Sequence, residues 1–430
     1  MTRPAVRPIT KSIARPITQP MTQPMKRGLV SSSFIFGAFA FAYFLSALTR
    51  AVTATLAPVF SAELDLRAAD LGLLAGAYFF GFAAMQLPLG RALDHFGPRR
   101  TLLVLLGVAV LGCAAFASSH TLPALVASRA LVGAGMAAAL MAPLTAYRQH
   151  FSPAVQMRAN SWMLMTGSLG MVASTLPVQW LLPVLGWRGL FWAVAVLLLC
   201  AAALVAAAVP RDTHPAATQH RADLGYATIV RHPLFVRVAP LGFFVYGGLI
   251  AVQSLWAGPW LTRVAGWTAG QAAQGLFGIN LAMLLAFGLW GLWMPRLVRR
   301  GINAWWLMTW GLPLPLLLLA LNVALGAQAG AAHWAAWCVA CTFVSLSQPA
   351  LADVFPPSQA GRALSAYNLV IFSGVFCVQW GLGLLIDFLR GQGWSDDAAL
   401  RGAFAAFGLC GAAAYGWFVR RGAQAADNPL

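Results

Sequence analysis

Long apolar runs divided by short polar breaks set the organisation of this chain. About 20 apolar residues in helical form cross the hydrocarbon core of a bilayer. Twelve stretches reach that length: 29–60, 69–91, 99–119, 121–149, 160–184, 187–209, 234–263, 269–295, 303–325, 331–355, 361–389 and 399–420. The narrowest divisions are between the fifth and sixth, at Gly186-Trp187-Arg188, and between the ninth and tenth. No alternation of period two marks the strands of an outer-membrane barrel. The pattern therefore predicts an all-α membrane protein with twelve transmembrane helices.

One long polar stretch, 210–233, lies between the sixth and seventh runs and carries Arg211, His214, His220, Arg221, Arg231 and His232. It reads as a linker between a first bundle, 29–209, and a second, 234–420. Residues 1–28 are basic and Pro-rich, with a crude repeat of Arg7-Pro-Ile-Thr and Arg15-Pro-Ile-Thr. They hold nothing that builds a core and are expected to be a disordered tail. A signal peptide is not expected, because the apolar run that follows is about 28 residues long rather than 7–15. Met21 and Met25 are alternative starts to Met1. Residues 421–430 read as a short C-terminal tail.

Composition agrees with the pattern. Of 430 residues, 60% are hydrophobic and 9% charged, against about 25% charged in soluble domains. The formal charge of +17 raises nucleic acid as a partner, but the arginines stand between apolar runs, where topology explains them. With the N-terminus in the cytoplasm, 21 of the 28 Lys and Arg fall on the cytoplasmic side, 5 on the other side and 2 inside helices. That split fits twelve helices with both termini inside. All six cysteines lie in apolar runs and read as small hydrophobes. Cys338 and Cys341 form a CxxC without further ligands nearby, so neither metal nor cofactor is expected. No zinc-protease HExxH, phosphate-binding loop or GxSxG turn is present, and no enzyme is expected.

An internal repeat runs through the two halves. Phe151-Ser-Pro153 with Arg158-Ala159 recurs as Phe355-Pro-Pro357 with Arg362-Ala363, an offset of 204. Val178-Gln179-Trp180 recurs as Val378-Gln379-Trp380 at 200. Gly291 to Arg300 is a worn copy of Gly90 to Arg100 at 201. Three matches at nearly one offset indicate a doubled six-helix unit.

Gly90 to Arg100 reads Gly-Arg-Ala-Leu-Asp-His-Phe-Gly-Pro-Arg-Arg and joins the second and third runs. It resembles the signature loop of the major facilitator superfamily, roughly Gly-x-x-x-Asp-Arg-x-Gly-x-Arg-Arg/Lys. It matches at Gly90, Asp94, Gly97, Arg99 and Arg100 and departs at His95, where the family usually has arginine. The resemblance covers 29–420. It implies two pseudo-symmetric six-helix bundles that rock around a central site, with Asp94, Arg99 and Arg100 latching the cytoplasmic ends.

Arg50 and Arg129 lie inside the first and fourth runs, in the half away from that loop. An arginine at such depth faces a cavity or a partner, and no carboxylate lies in the membrane middle to neutralise either. Arg129-Ala-Leu-Val-Gly133-Ala-Gly135 resembles the superfamily's fourth-helix motif. The pair is similar to that of anion:cation symporters, but the acidic neighbours that handle protons there are Thr49 and Met136 here. Two guanidiniums suit a carboxylate or phosphate. The bland alternatives are that Arg129 bonds helix carbonyls and Arg50 reaches the outer surface. Gln253 stands at offset 203 from Arg50, and Trp256 follows on nearly the same face. Asn280, Gln348 and Asn368 are further in-membrane amides; helix-to-helix bonding is the plain reading of each. The expected substrate-binding set is Arg50, Arg129, Gln253, Trp256, Asn280, Gln348 and Asn368.

These features lead to the expectation of a transporter of a small organic anion or metabolite, secondary active or facilitative. Export of drugs or hydrophobic compounds is the alternative, encouraged by the tryptophan-rich second half. It lacks the Gly-Pro pair that drug antiporters carry in the fifth helix. A non-transporting membrane sensor or assembly protein is the third reading. The expected partners are a small-molecule substrate, the lipid bilayer and a coupling ion such as a proton, with no nucleic acid. A monomer in a bacterial inner membrane is expected.

Overall fold

The computed structural model describes residues 32–211 and 226–427. The expected tail 1–28 and most of the 210–233 linker lie outside the described residues; Tyr226–Arg231 at the linker's end is a short helix. Ten helices among the described residues are long and apolar enough to cross a bilayer, and Ala68–Ala84 is a shorter apolar one.

Two of the ten, Gln86–Ser118 and Leu176–Ala208, contain reversals. Gly97 leaves helical geometry at φ 79°, ψ 166° and Gly186 at φ 63°, ψ 170°. Those are dihedrals that glycine tolerates and L side chains resist. At the first, Thr101 Oγ1 donates to the Ala92 carbonyl at 3.0 Å. Nine residues of continuous helix would hold those groups about 13 Å apart, so the chain turns back at Gly97.

Twelve crossing helices follow. They are α1 (Ser32–Glu63), α2 (68–96), α3 (98–118), α4 (Leu122–Gln149), α5 (153–185), α6 (187–208), α7 (Pro233–Val264), α8 (Ala269–Arg299), α9 (Ala304–Gln328), α10 (Ala331–Ala352), α11 (Pro357–Gly391) and α12 (Asp396–Asp427). The last helix runs on to Asp427, into the stretch expected to be a tail.

Proline explains several interruptions. Its ring collides with the carbonyl four residues back and it has no N–H to give. Helical segments end at Ala84, Ala173 and Gly311, four residues before Pro88, Pro177 and Pro315. In α7 the backbone instead widens into three π-helical turns, Leu241–Tyr246, Val252–Trp256 and Trp260–Val264. In α10 it tightens to a 3₁₀ turn at Thr342–Leu346. Departures of this kind cluster at functional positions.

The helix ends form two faces. One carries Asp94, Arg99 and Arg100 and is the basic face. The opposite face carries Glu63, Arg188 and Asp387. Large apolar side chains such as Val184 (81% exposed) and Leu317 (68%) point outward, as lipid-facing side chains do. The two halves meet where α2 runs along α11. Glycines remove the side chains at this contact: a methyl at Gly72 would collide with the Gln379 carbonyl, and one at Gly383 with that of Ala68. Phe82 and Phe372 continue the seam, ring centroids 4.4 Å apart. Within the first half, Gly81 and Gly133 seat α2 against α4, each facing the other helix's backbone.

Candidate functional site

Arg50 sits on α1 at the seam with the second half. It is half-buried, and its Nε is shut off from solvent with no hydrogen-bond partner among the described residues. A buried donor left unmade costs about 1–3 kcal/mol, more for a charged group. Tyr78 of α2 and Tyr246 of α7 lie within electrostatic reach of the guanidinium. Tyr43, two turns before Arg50 on α1, interacts in turn with Tyr246. The Tyr78 hydroxyl donates to the Ser46 carbonyl at 3.2 Å, which holds its ring against α1.

Arg129 differs. It is 1% exposed. Its Nη1 donates to the Thr49 carbonyl at 3.1 Å and its Nη2 to Thr53 Oγ1 at 2.7 Å. The rings of Tyr78, Phe116 and Phe191 flank it at 5.3, 5.9 and 5.9 Å. Aromatic faces favour a cation through their quadrupole. Arg129 therefore clamps α4 to α1 on either side of Arg50's own position. The two arginines belong to one neighbourhood, but in this conformation Arg129's bonds go to the protein.

The amides pair off. Gln253 Nε2 donates to Asn280 Oδ1 at 2.8 Å, joining α7 to α8. Gln348 Nε2 donates to Asn368 Oδ1 at 2.7 Å, joining α10 to α11. Trp256 is fully buried and its indole N–H donates to the Gln379 carbonyl at 3.1 Å. Gln253, with Asn280 bonded to it, shares Arg50's level. Gly258 of α7 backs onto Ala54 of α1, and Gln253 and Arg50 lie about one turn earlier on each helix. Gln253 also falls in the middle π turn.

Tyr246 was not among the expected residues. The signal for it lies in the repeat: it stands at offset 203 from Tyr43, as Gln253 does from Arg50. The two central helices thus present a tyrosine and, seven residues on, a polar group.

At the basic face, Gly97 makes the reversal and Arg99 Nη2 donates to the Ala206 carbonyl at 2.7 Å. The Arg99 bond ties the loop to the end of α6. A methyl on Gly90 would stand 4.0 Å from the Tyr226 hydroxyl. Arg100 is exposed. Asp94 is exposed and makes no hydrogen bond or ion pair among the described residues.

At the opposite face the halves are bonded together. Asp387 of α11 accepts from the backbone N–H groups of Ala68 and Ala69, at 3.1 and 2.7 Å. Arg263 of α7 donates to Ser61 Oγ of α1 at 3.3 Å. Among the described residues no group of three or more His, Cys, Asp or Glu could hold a metal.

The sequence pattern of the Major Facilitator Superfamily matches residues 39–377. The chain belongs to the major facilitator superfamily. Two transporters are related to it over part of their length. A probable sulfoacetate transporter of Cupriavidus necator is 32% identical over 80 residues, 19% of each chain. A 4-hydroxybenzoate transporter of Acinetobacter baylyi is 27% identical over 163 residues, 36% of this chain and 35% of that one. The chain thus matches about a fifth and a third of the lengths of these relatives. Among solved structures, a bacterial homolog of the human lysosomal transporter Spinster, inward-facing and unoccupied, superposes with a TM-score of 0.73. That alignment is 17% identical and covers 90% of this chain and 96% of that one. A D-xylose–proton symporter gives 0.70 at 14% identity, covering 90% and 97%. These likenesses establish the superfamily fold.

Proposed function

We propose that this superfamily member carries a small organic anion across the membrane by alternating access, with Arg50 as the residue that holds the anion. The observation that carries the reading is the buried Nε of Arg50 at the α1–α7 seam, which has no partner among the described residues. A carboxylate or sulfonate there accepts charge-assisted bonds that the protein itself leaves unmade. Arg129 then acts through Arg50, by fixing α1 at Thr49 and Thr53. Gln253 supplies a polar group from the second half at the same level. Tyr43, Tyr78 and Tyr246 give the site aromatic walls suited to the body of the solute. The names of the two partial relatives, for sulfoacetate and 4-hydroxybenzoate, both denote carboxylates and agree with the reading.

The drug-export alternative loses its main support. It drew on the tryptophans of the second half, and Trp256, Trp260 and Trp334 are fully buried. Trp260 and Trp334 pack on each other and on Phe404 at about 5 Å.

The split of basic residues favours a cytoplasmic basic face with both termini on the same side. The bacterial sources of the partial relatives favour the inner membrane. Transport is secondary active or facilitative, since nothing in the chain resembles a nucleotide site. The test is a thermal-shift screen of the purified protein against carboxylates, sulfonates, phosphates and cationic drugs. A ligand that binds the folded state raises the melting temperature by mass action. Anions should do so in the native chain and fail to in Arg50→Ala. Stabilisation by cationic drugs alone would reverse the choice.

A further inference from the structure

We propose that Asp387 is a positioning residue of the transport cycle: its carboxylate latches the face opposite the signature loop by binding the first turn of α2 across the seam. This role is independent of the anion reading.

Asp387 belongs to the second half and the start of α2 to the first. Their joining is therefore a contact that any opening of this face must break. The bonded N–H groups, of Ala68 and Ala69, are among those at a helix start that have no partner within the helix. The positive end of the α2 dipole favours an anion at that place. The carboxylate takes one N–H on each oxygen, at 3.1 and 2.7 Å. Arg390, on the next turn of α11, is ion-paired with the same carboxylate at 3.7 Å and with Asp396 at 2.8 Å. The approach needs Gly383, one turn before Asp387, because any side chain there would strike the Ala68 carbonyl. Beneath the latch, Ala57, Ser61, Leu71, Pro259 and Arg263 border a space of about 10 Å³, at most one water. This face is shut.

The geometry has a counterpart at the other end of the same helix pair. α2 starts at the shut face and α11 at the basic face, so each helix ends beside the other's start. Each bears an aspartate toward its C-terminal end: Asp387 on α11, engaged, and Asp94 on α2, without a partner among the described residues. The two acids are reciprocal. When the shut face opens, Asp387 returns to water and the basic-face ends close, which brings Asp94 toward the start of α11.

The test uses the full chain in proteoliposomes with Ala57→Cys as reporter. Ala57 is 2% exposed beneath the latch. The rate at which a membrane-impermeant maleimide reaches residue 57 is read by mass spectrometry, so the native cysteines do not interfere. Asp387→Asn and Asp387→Ala should each raise that rate on the order of tenfold, the factor that follows from ~1.4 kcal/mol, about the worth of one bond to a charged group. Asp387→Glu, which keeps the charge, should recover part of the slow labelling. Asp94→Asn should slow labelling further. If Asp387→Asn lowers the melting temperature but leaves the labelling rate unchanged, Asp387 is a structural contact only and the proposal is overturned. If Asp387→Ala does not fold, the Asn and Glu variants decide it by the same comparison.

Discussion

At the scale of single residues, the two membrane arginines differ in their partners. Both stand out in the sequence, because an arginine in the middle of an apolar run calls for explanation. Their difference does not. Arg129's partners, Thr49 and Thr53, are 80 and 76 residues away in sequence, so only the packing of α4 on α1 reveals that its donors are taken. Arg50→Ala should lower affinity for an anionic ligand about 100-fold or more, and Arg50→Lys about tenfold, since lysine keeps the charge but not the planar fork. Equilibrium binding to the purified protein checks both. Arg129→Met should act first on stability. It removes two buried charge-assisted bonds that join α4 to α1, a loss of about 2–3 kcal/mol; a melting curve in detergent reads it. Arg129→Met with unchanged melting and selectively lost binding would instead place Arg129 on the ligand. Tyr246 is legible in the residues as well, since its offset of 203 from Tyr43 equals that of Gln253 from Arg50.

At the scale of elements, the apolar runs predict all twelve crossings, and the glycines of the short turns mark the reversals. How each helix bends is only partly encoded in that pattern. Breaks four residues before Pro88, Pro177 and Pro315 follow from proline's geometry and are open to reading. The three π turns of α7 are not, because one added residue per turn barely alters an apolar run. The middle one carries Gln253, which belongs to the proposed site. The close contact of α2 with α4 gives a sharp prediction. Gly133→Leu should abolish stable expression, since its side chain would enter the Tyr78 backbone, whereas Gly37→Ala, which meets nothing within 4 Å, should express normally. Fluorescence size-exclusion of tagged chains distinguishes them. Gly97→Ala should destabilise by about 1 kcal/mol or more through the positive φ.

At the scale of the whole molecule, the doubling seen in three sequence offsets has a physical consequence. Two similar bundles meet where α2 runs along α11, and alternating access as proposed requires their ends to open one at a time. In this structure the face with Asp387 is bonded shut. Asp94, the acid of the signature loop, stands without a partner among the described residues. Asp94→Asn should therefore alter transport more than expression; equal loss of both would remove the latch at that end. Which face is closed is not legible in the residues, because the contact that closes it joins positions more than 300 apart in sequence.

Uptake measurements decide whether Arg50 holds an organic anion on its way across. The most direct measurement is uptake of a radiolabelled small carboxylate, such as 4-hydroxybenzoate, into proteoliposomes holding native protein, Arg50→Lys or Arg50→Ala at matched density. Saturable uptake is expected in the native protein, weaker uptake in the lysine variant and none above empty liposomes in the alanine variant. Native-level uptake by a folded Arg50→Ala protein would contradict the claim.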